Sequence, residues 1–341
     1  MSHDSPSLIF VTGASRSGTT LMSVVLGKSS RILCMNETHF FGECWDPRSA
    51  PGDLNENSLE QATAKLFARL ERGILKAQIA PEDRAKAQAF LANLPAEKRN
   101  PADVYLAVVT QAAQVAGKEI SCEQTPRNIF YASRLLELYP NARIVHMIRD
   151  PRAVMASQKK RWRRRQLATV KLPFYHTVRV WANYHPTTMS QLWRRATAQA
   201  LKLQSENHRR FLTVRFEDLL REPESAVRKV CDFLGVAFEA DMLHVGQINS
   251  SHQSSVGGAR PGLNKGAIDA WREVLSAGEI AITEQVCSGE MQSCGYNMDV
   301  PQGAGLVTRT YYGLTYLFHA LSVAATNPRR ALIQFKAAFR G

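Results

Sequence analysis

The chain has 341 residues, 45% of them apolar, and its 43 lysines and arginines against 30 acids give a formal net charge of +13. That length suits one large α/β domain with additions or two small domains, and nothing repetitive or low in complexity removes it from the globular class. The charge favours anionic partners (nucleotides, acidic glycans, anionic lipid or nucleic acid) without choosing among them, and six cysteines without tight pair spacing exclude a zinc ribbon.

Leu8 to Val11 is a continuous apolar run, the pattern of a parallel strand buried on both faces. Gly13 to Gly18 is small and polar except for Arg16, and Leu21, Val24 and Val25 then recur at helical spacing. Strand, small-residue loop and helix bring backbone N–H groups and a helix N-terminus to one point, which suits a phosphate. Gly13 and Gly18 have the spacing of a nucleotide P-loop, but Thr19 stands where a triphosphatase carries its lysine. With Arg16 as its one cation, the loop suits a single 5′-phosphate better than a triphosphate–magnesium complex. Its purely structural alternative is a glycine turn in an α/β sheet. No basic and apolar leader precedes the first strand, so a cytosolic protein with reduced cysteines is expected.

Further along, Arg31 to Met35 reads as a short strand ending at Asn36-Glu37-Thr38-His39. Residues 46–117 read as a helical insertion. Its first helix starts at Ser58 behind an Asn57 cap and reaches about Ile79; its second opens at Pro81; its third runs from Pro101 to Ala116 and stops at Gly117. The sheet resumes at Glu119 to Cys122. A helix spans Asn128 to Leu138, and Arg143 to Ile148 is a strand followed by Arg149-Asp150-Pro151 and another helix. Phe211 to Phe216 is the next strand, with a helix from about Glu222 to Leu234. Alternating strands and helices predict one α/β domain, with a P-loop-like parallel sheet covered by helices on both faces and a C-terminal helical extension from about residue 300. In such sheets Glu37, Gln124, Arg149 and the 13–20 loop all fall at carboxyl ends of strands, where they can share one crevice.

Arg149 at a strand end and Ser157 two helical turns later can hold a second phosphate; read structurally, they are an ion-paired arginine and a surface serine. With the first loop, these features resemble the sulfotransferases that use 3′-phosphoadenosine 5′-phosphosulfate (PAPS), in pattern nearest the tyrosylprotein branch and its bacterial relatives. Arg16-Ser17-Gly18-Thr19-Thr20-Leu21 is similar to that family's 5′-phosphosulfate loop, Arg149 and Ser157 to its 3′-phosphate pair, and Arg161 to a further arginine of the branch. Val214-Arg215-Phe216-Glu217 resembles its fourth core strand, with Phe216 where tyrosine is usual. Ser254-Ser255 and Arg260-Pro261-Gly262-Leu263-Asn264, with Lys265 and then Trp271, resemble the loop that closes over the nucleotide. Glu37 stands where the branch has its catalytic glutamate, and the neighbouring His39 is the second choice of base. Gln124 departs from the family, which commonly has a lysine before Thr-Pro to steady the departing oxygen; Arg16, Lys118 or Arg127 are candidates to compensate.

The resemblance implies in-line attack of an acceptor hydroxyl on sulfur, with Glu37 as general base and Arg16 and the loop amides stabilising negative charge. PAPS is then a co-substrate released as adenosine 3′,5′-bisphosphate (PAP), and fixed cations replace a metal. A P-loop small-molecule kinase, or a nucleotide- or polyanion-binding relative without turnover, are the alternatives. The basic run Lys159-Lys160-Arg161-Trp162-Arg163-Arg164-Arg165 has two readings: a solvated helix face, or a site for an acidic acceptor or an anionic surface. No nucleic-acid module accompanies it, so no nucleic-acid partner is expected. Thr310 to Pro328 carries no formal charge and is followed by Arg329-Arg330. It is expected to pack on the body or on a second copy of the chain, with an interfacial membrane helix as the alternative.

Overall fold

The computed structural model describes residues 7–50, 54–74, 76–167, 184–206, 209–246, 263–300 and 304–326, with the side chains of 161–167 and 323, 324 and 326 left aside. Its sheet has five parallel strands: β1 (Leu8–Gly13), β2 (Ile32–Met35), β3 (Ile120–Gln124), β4 (Ala142–Ile148) and β5 (Phe211–Arg215), in the order β2-β3-β1-β4-β5. The apolar run at the start of the chain becomes the central strand, buried at all six residues, with Leu8 in register with Ser121 on one side and Ala142 on the other. The chain fills one side of β1 with β2 and β3, then the other with β4 and β5. The direction of winding reverses beside β1, where open α/β sheets leave a crevice at their carboxyl edge.

The two sheet faces divide the core. Leu8 and Phe10 point to a cluster with Phe40, Phe41, Leu66, Tyr105 and Ile144. Ile9 and Val11 point to the other, with Met22, Val25, Val145, Val227 and Val230. The insertion helices Glu56–Arg72, Pro81–Ala92 and Pro101–Val115 cover the first face, contributing Leu59, Phe67, Val104 and Val108.

Several boundaries differ from the sequence reading for local reasons. The first insertion helix begins at Glu56, because Asn55 rather than Asn57 caps it: Asn55 Oδ1 accepts from Ser58 N at 2.9 Å. It ends at Arg72 rather than Ile79, since Gly73 turns left-handed (φ 69°). Pro126–Tyr131 is a 3₁₀ turn leading into the helix Ala132–Leu138, and Phe216 opens the helix Phe216–Arg221 instead of closing β5.

The helix Pro186–Ser205, which precedes β5, and the helix Ala277–Ser293, which follows it, pack together. Buried Arg152 ties this half to the end of β4: it pairs with Asp150, Glu284 and Asp299, and its guanidinium lies 4.1 Å from the Trp271 ring. The last helix, Leu306–Thr326, packs by one side only. Thr315 bonds His185 at 3.1 Å, and Tyr316 OH donates to Gln191 at 3.4 Å.

Candidate active site

The turn after β1 is built by unusual backbone. Arg16 is left-handed (φ 78°), a conformation rare for a non-glycine residue. Gly18 is also left-handed (φ 94°), and a Cβ there would run into the Phe216 ring. Gly18 is the N-cap of the helix Thr19–Gly27, which has no side-chain cap. Its first N–H groups therefore face the loop with the positive end of the helix dipole. Beside them, Ser17 Oγ is enclosed and has no hydrogen-bond partner.

Arg16 Nε donates to Ser157 Oγ at 2.9 Å. Arg149 reaches in from the end of β4: Nη1 donates to Arg16 O at 3.3 Å, and Nη2 to Ala267 O at 2.8 Å. Its guanidinium lies 4.2 Å from the Phe216 ring centre, and its enclosed Nε has no partner. Burial lowers its pKa to about 10, so it stays charged at neutral pH. Trp193 Nε1 holds the Arg149 carbonyl at 2.8 Å. Behind it Glu217 accepts from Asp150 N at 2.9 Å and from Tyr296 OH at 3.0 Å.

The other wall is the Glu37–His39 segment after β2. Gln124 Nε2 donates both to Thr19 Oγ1 (3.0 Å) and to Glu37 Oε1 (3.1 Å), joining the phosphate-type loop to the carboxylate. His39 Nε2 lies 3.0 Å from Glu37 Oε2. The residue between them, Thr38, is held from two sides. Its N–H (3.1 Å) and Oγ1 (2.9 Å) donate to Glu123 Oε1, which Thr125 Oγ1 also reaches, while Asn128 Nδ2 donates to Glu123 Oε2 at 2.7 Å. The Thr38 carbonyl accepts from Arg69, a buried arginine of the first insertion helix. Arg69 also donates to His39 O at 3.1 Å and pairs with Glu43. Burial alone would raise the Glu43 carboxyl, but the Arg69 hydrogen bond and charge outweigh it and hold the pKa below the usual value.

Residues 6–240 match the sequence model of the sulfotransferase family. This chain belongs to that family. It is 31% identical over 168 residues to carbohydrate sulfotransferase 6 of Homo sapiens, a match covering 46% of this chain and 42% of that protein. With protein-tyrosine sulfotransferase 2 of Gallus gallus it shares 26% over 237 residues, 70% of this chain and 53% of that one. The chain thus spans less than half the length of the carbohydrate sulfotransferases it matches. The sulfotransferase domain of a Synechococcus olefin synthase has the same fold, with a TM-score of 0.52 at 22% identity, over 87% of this chain and 98% of that domain.

Within this member of the family, the residues read from sequence largely converge. Arg16, Ser157, Arg149 and Phe216 form one contact group, and Glu37, Gln124 and Thr19 another across the same loop. Thr20 lies in the first turn of the loop helix. Asn264 Oδ1 accepts from Gly266 N at 2.9 Å and caps the short turn Lys265–Ala267, whose Ala267 carbonyl meets Arg149; Lys265 itself is exposed. Ser254, Ser255, Arg260, Pro261 and Gly262 lie outside the described residues, as do the side chains of Arg161 and of Trp162 to Arg165. Arg31, at the start of the same segment, pairs with Glu119. Lys118 does not stand in for the missing lysine: its Nζ donates to Ser29 O and Ser30 O, before β3 and away from the carboxyl edge. Arg127 lies 3.5 Å from Glu43.

Proposed function

We propose that this chain transfers a sulfuryl group from PAPS to an acceptor hydroxyl and releases PAP. The observation that carries the reading is the pair of enclosed, unpartnered polar atoms, Ser17 Oγ and Arg149 Nε, at two places joined by Arg16. Buried donors without acceptors are costly, and two anionic groups of one nucleotide fit both. The loop N–H groups, Ser17 and the uncapped helix suit a 5′-phosphosulfate; Arg149 and Ser157 suit a 3′-phosphate. PAPS, when bound, supplies the activated sulfuryl group.

The chain's own residues account for the remaining tasks. Arg16 and the loop N–H groups hold negative charge as it develops. Glu37 takes the acceptor's proton, with one oxygen oriented by Gln124 and the other by His39. Glu123 and Arg69 keep that carboxylate in place through Thr38. Thr19 at the lysine position disfavours the kinase alternative. The two kinds of curated relative put a glycan hydroxyl and a tyrosyl hydroxyl forward as the first acceptors to screen.

Thermal shift and transfer assays test the reading together. PAP in EDTA should raise the melting temperature, and ATP–magnesium should not; equal shifts would favour the kinase. Glu37→Gln should lower transfer of labelled sulfate about 10²–10⁴-fold and leave the PAP shift unchanged. Full activity in Glu37→Gln with none in His39→Ala would move the base to His39.

A further inference from the structure

The helix Leu306–Thr326 leaves one long side uncovered. Val307 is 84% exposed, Tyr311 60%, Leu314 66% and Leu321 70%. Their spacing of four, three and seven residues puts them on a single stripe, which Leu306 (80%) and Leu317 (61%) widen. A separate stripe makes the contacts with the body, through Tyr312 over Gly278 and Thr315 and Tyr316 on the helix Pro186–Ser205. Among the described residues, the contacts with the body are made by that second stripe and leave the apolar one exposed. Among the described residues no helix is long and apolar enough to cross a membrane.

Charge selects the occupant. From Pro301 to Gly341 the sequence has five cations, Arg309, Arg329, Arg330, Lys336 and Arg340, and no acid. The acid nearest the helix is already taken, since Glu279, the neighbour of the Gly278 that Tyr312 covers, pairs with Lys159 Nζ at 2.6 Å. A second copy laid on this stripe would bring a second acid-free cationic segment against the first. An anionic bilayer instead takes the apolar side chains into its interface and neutralises the cations.

We propose that Leu306–Thr326 is an interfacial docking helix that lies flat on an anionic lipid bilayer, independently of the reaction assigned to the active site. The test is co-sedimentation of the full chain with phosphatidylcholine vesicles, with and without phosphatidylserine, at low and high salt. Binding should need phosphatidylserine and fall at high salt. Leu314→Asp/Leu321→Asp should lower it about tenfold or more while melting temperature and solution mass stay unchanged. Absence of vesicle binding, or equal binding by the variant, overturns the proposal. A dimer in light scattering that the variant splits would assign the stripe to a second copy and overturn it. A variant melting well below the parent chain would show the stripe already covered by protein and would overturn it as well.

Discussion

Glu123 offers a sharp test of how the active-site wall is held. Four donors converge on this buried carboxylate: Thr38 N, Thr38 Oγ1, Thr125 Oγ1 and Asn128 Nδ2. The two hydroxyls can rotate to other acceptors; the Thr38 N–H and the Asn128 amide cannot. Glu123→Ala strands both, and at about 1–3 kcal/mol for each stranded donor the loss is about 2–6 kcal/mol before any cavity cost. Glu123→Gln behaves differently. Its carbonyl can keep the Oε1 position and still accept from Thr38 N, while its NH₂ takes the Oε2 position and faces Asn128. Asn128 Oδ1 is enclosed and has no partner, so a flip of that amide supplies an acceptor and leaves its NH₂, in place of Oδ1, as the unpartnered group. Glu123→Gln should therefore cost only about 1 kcal/mol, one ordinary hydrogen bond. Urea unfolding at neutral pH measures both, and sulfate transfer reports whether Glu37 has moved. A Glu123→Gln variant as unstable as Glu123→Ala would refute the argument, because it would mean that charge rather than acceptor geometry holds Thr38.

Two further outcomes are expected. Gln124→Lys puts an ammonium where Nε2 now meets Thr19 and Glu37; if the site is short of positive charge, the single-turnover rate should rise about tenfold, less than the about 10²–10³ of one fully placed electrostatic donor, and an unchanged or lower rate would mean that Arg16 suffices. Acid should also weaken the fold. Burial lowers His146 from the usual 6.5 to about 3, and burial with His319 nearby lowers His185 to about 4. The unfolded chain then takes up protons that the folded chain refuses, so stability is full above about pH 6.5 and is lost as pH falls toward the folded values. From pH 7.5 to 4.5 His146 alone should remove about 2–3 kcal/mol. His146→Gln should flatten that slope in urea midpoints; an unchanged slope would place the loss elsewhere.

What could be read from the chain alone depended on how local the signal was. The Leu8–Val11 run, the small loop and the glycine or proline at the helix ends announce β1 and the insertion, because each is a property of neighbouring residues. Gly73 was such a signal too, and a helix carried through it to Ile79 ignored the stop it supplies. Arg69 and Glu123 were harder, since their partners lie far away in sequence. Each nevertheless left a trace: Arg69 continues the apolar stripe of Leu59, Ala62 and Leu66, and Glu123 is an acid in a strand buried at every residue. A charge on an apolar face needs a partner; both charges meet Thr38, next to Glu37, and Arg69 also pairs with Glu43. Trp193 and Glu217 left no comparable mark, because only the folded sheet brings them to Arg149 and Asp150.

The central position of β1 also sets an order of events during synthesis. The strand leaves the ribosome ahead of the rest of its sheet, and both of its neighbours, β3 and β4, come more than a hundred residues later in register with it. Until they arrive, a fully apolar segment has no sheet to join, and long-range parallel pairing of this kind is slow. The loop after it waits longer still, since Gly18 is packed against Phe216 and Arg16 is anchored by residues 149 and 157. The nascent chain therefore carries an exposed aggregation-prone strand for much of its translation, and mutations that delay β3 or β4 should reduce soluble yield more than they reduce the stability of the finished protein.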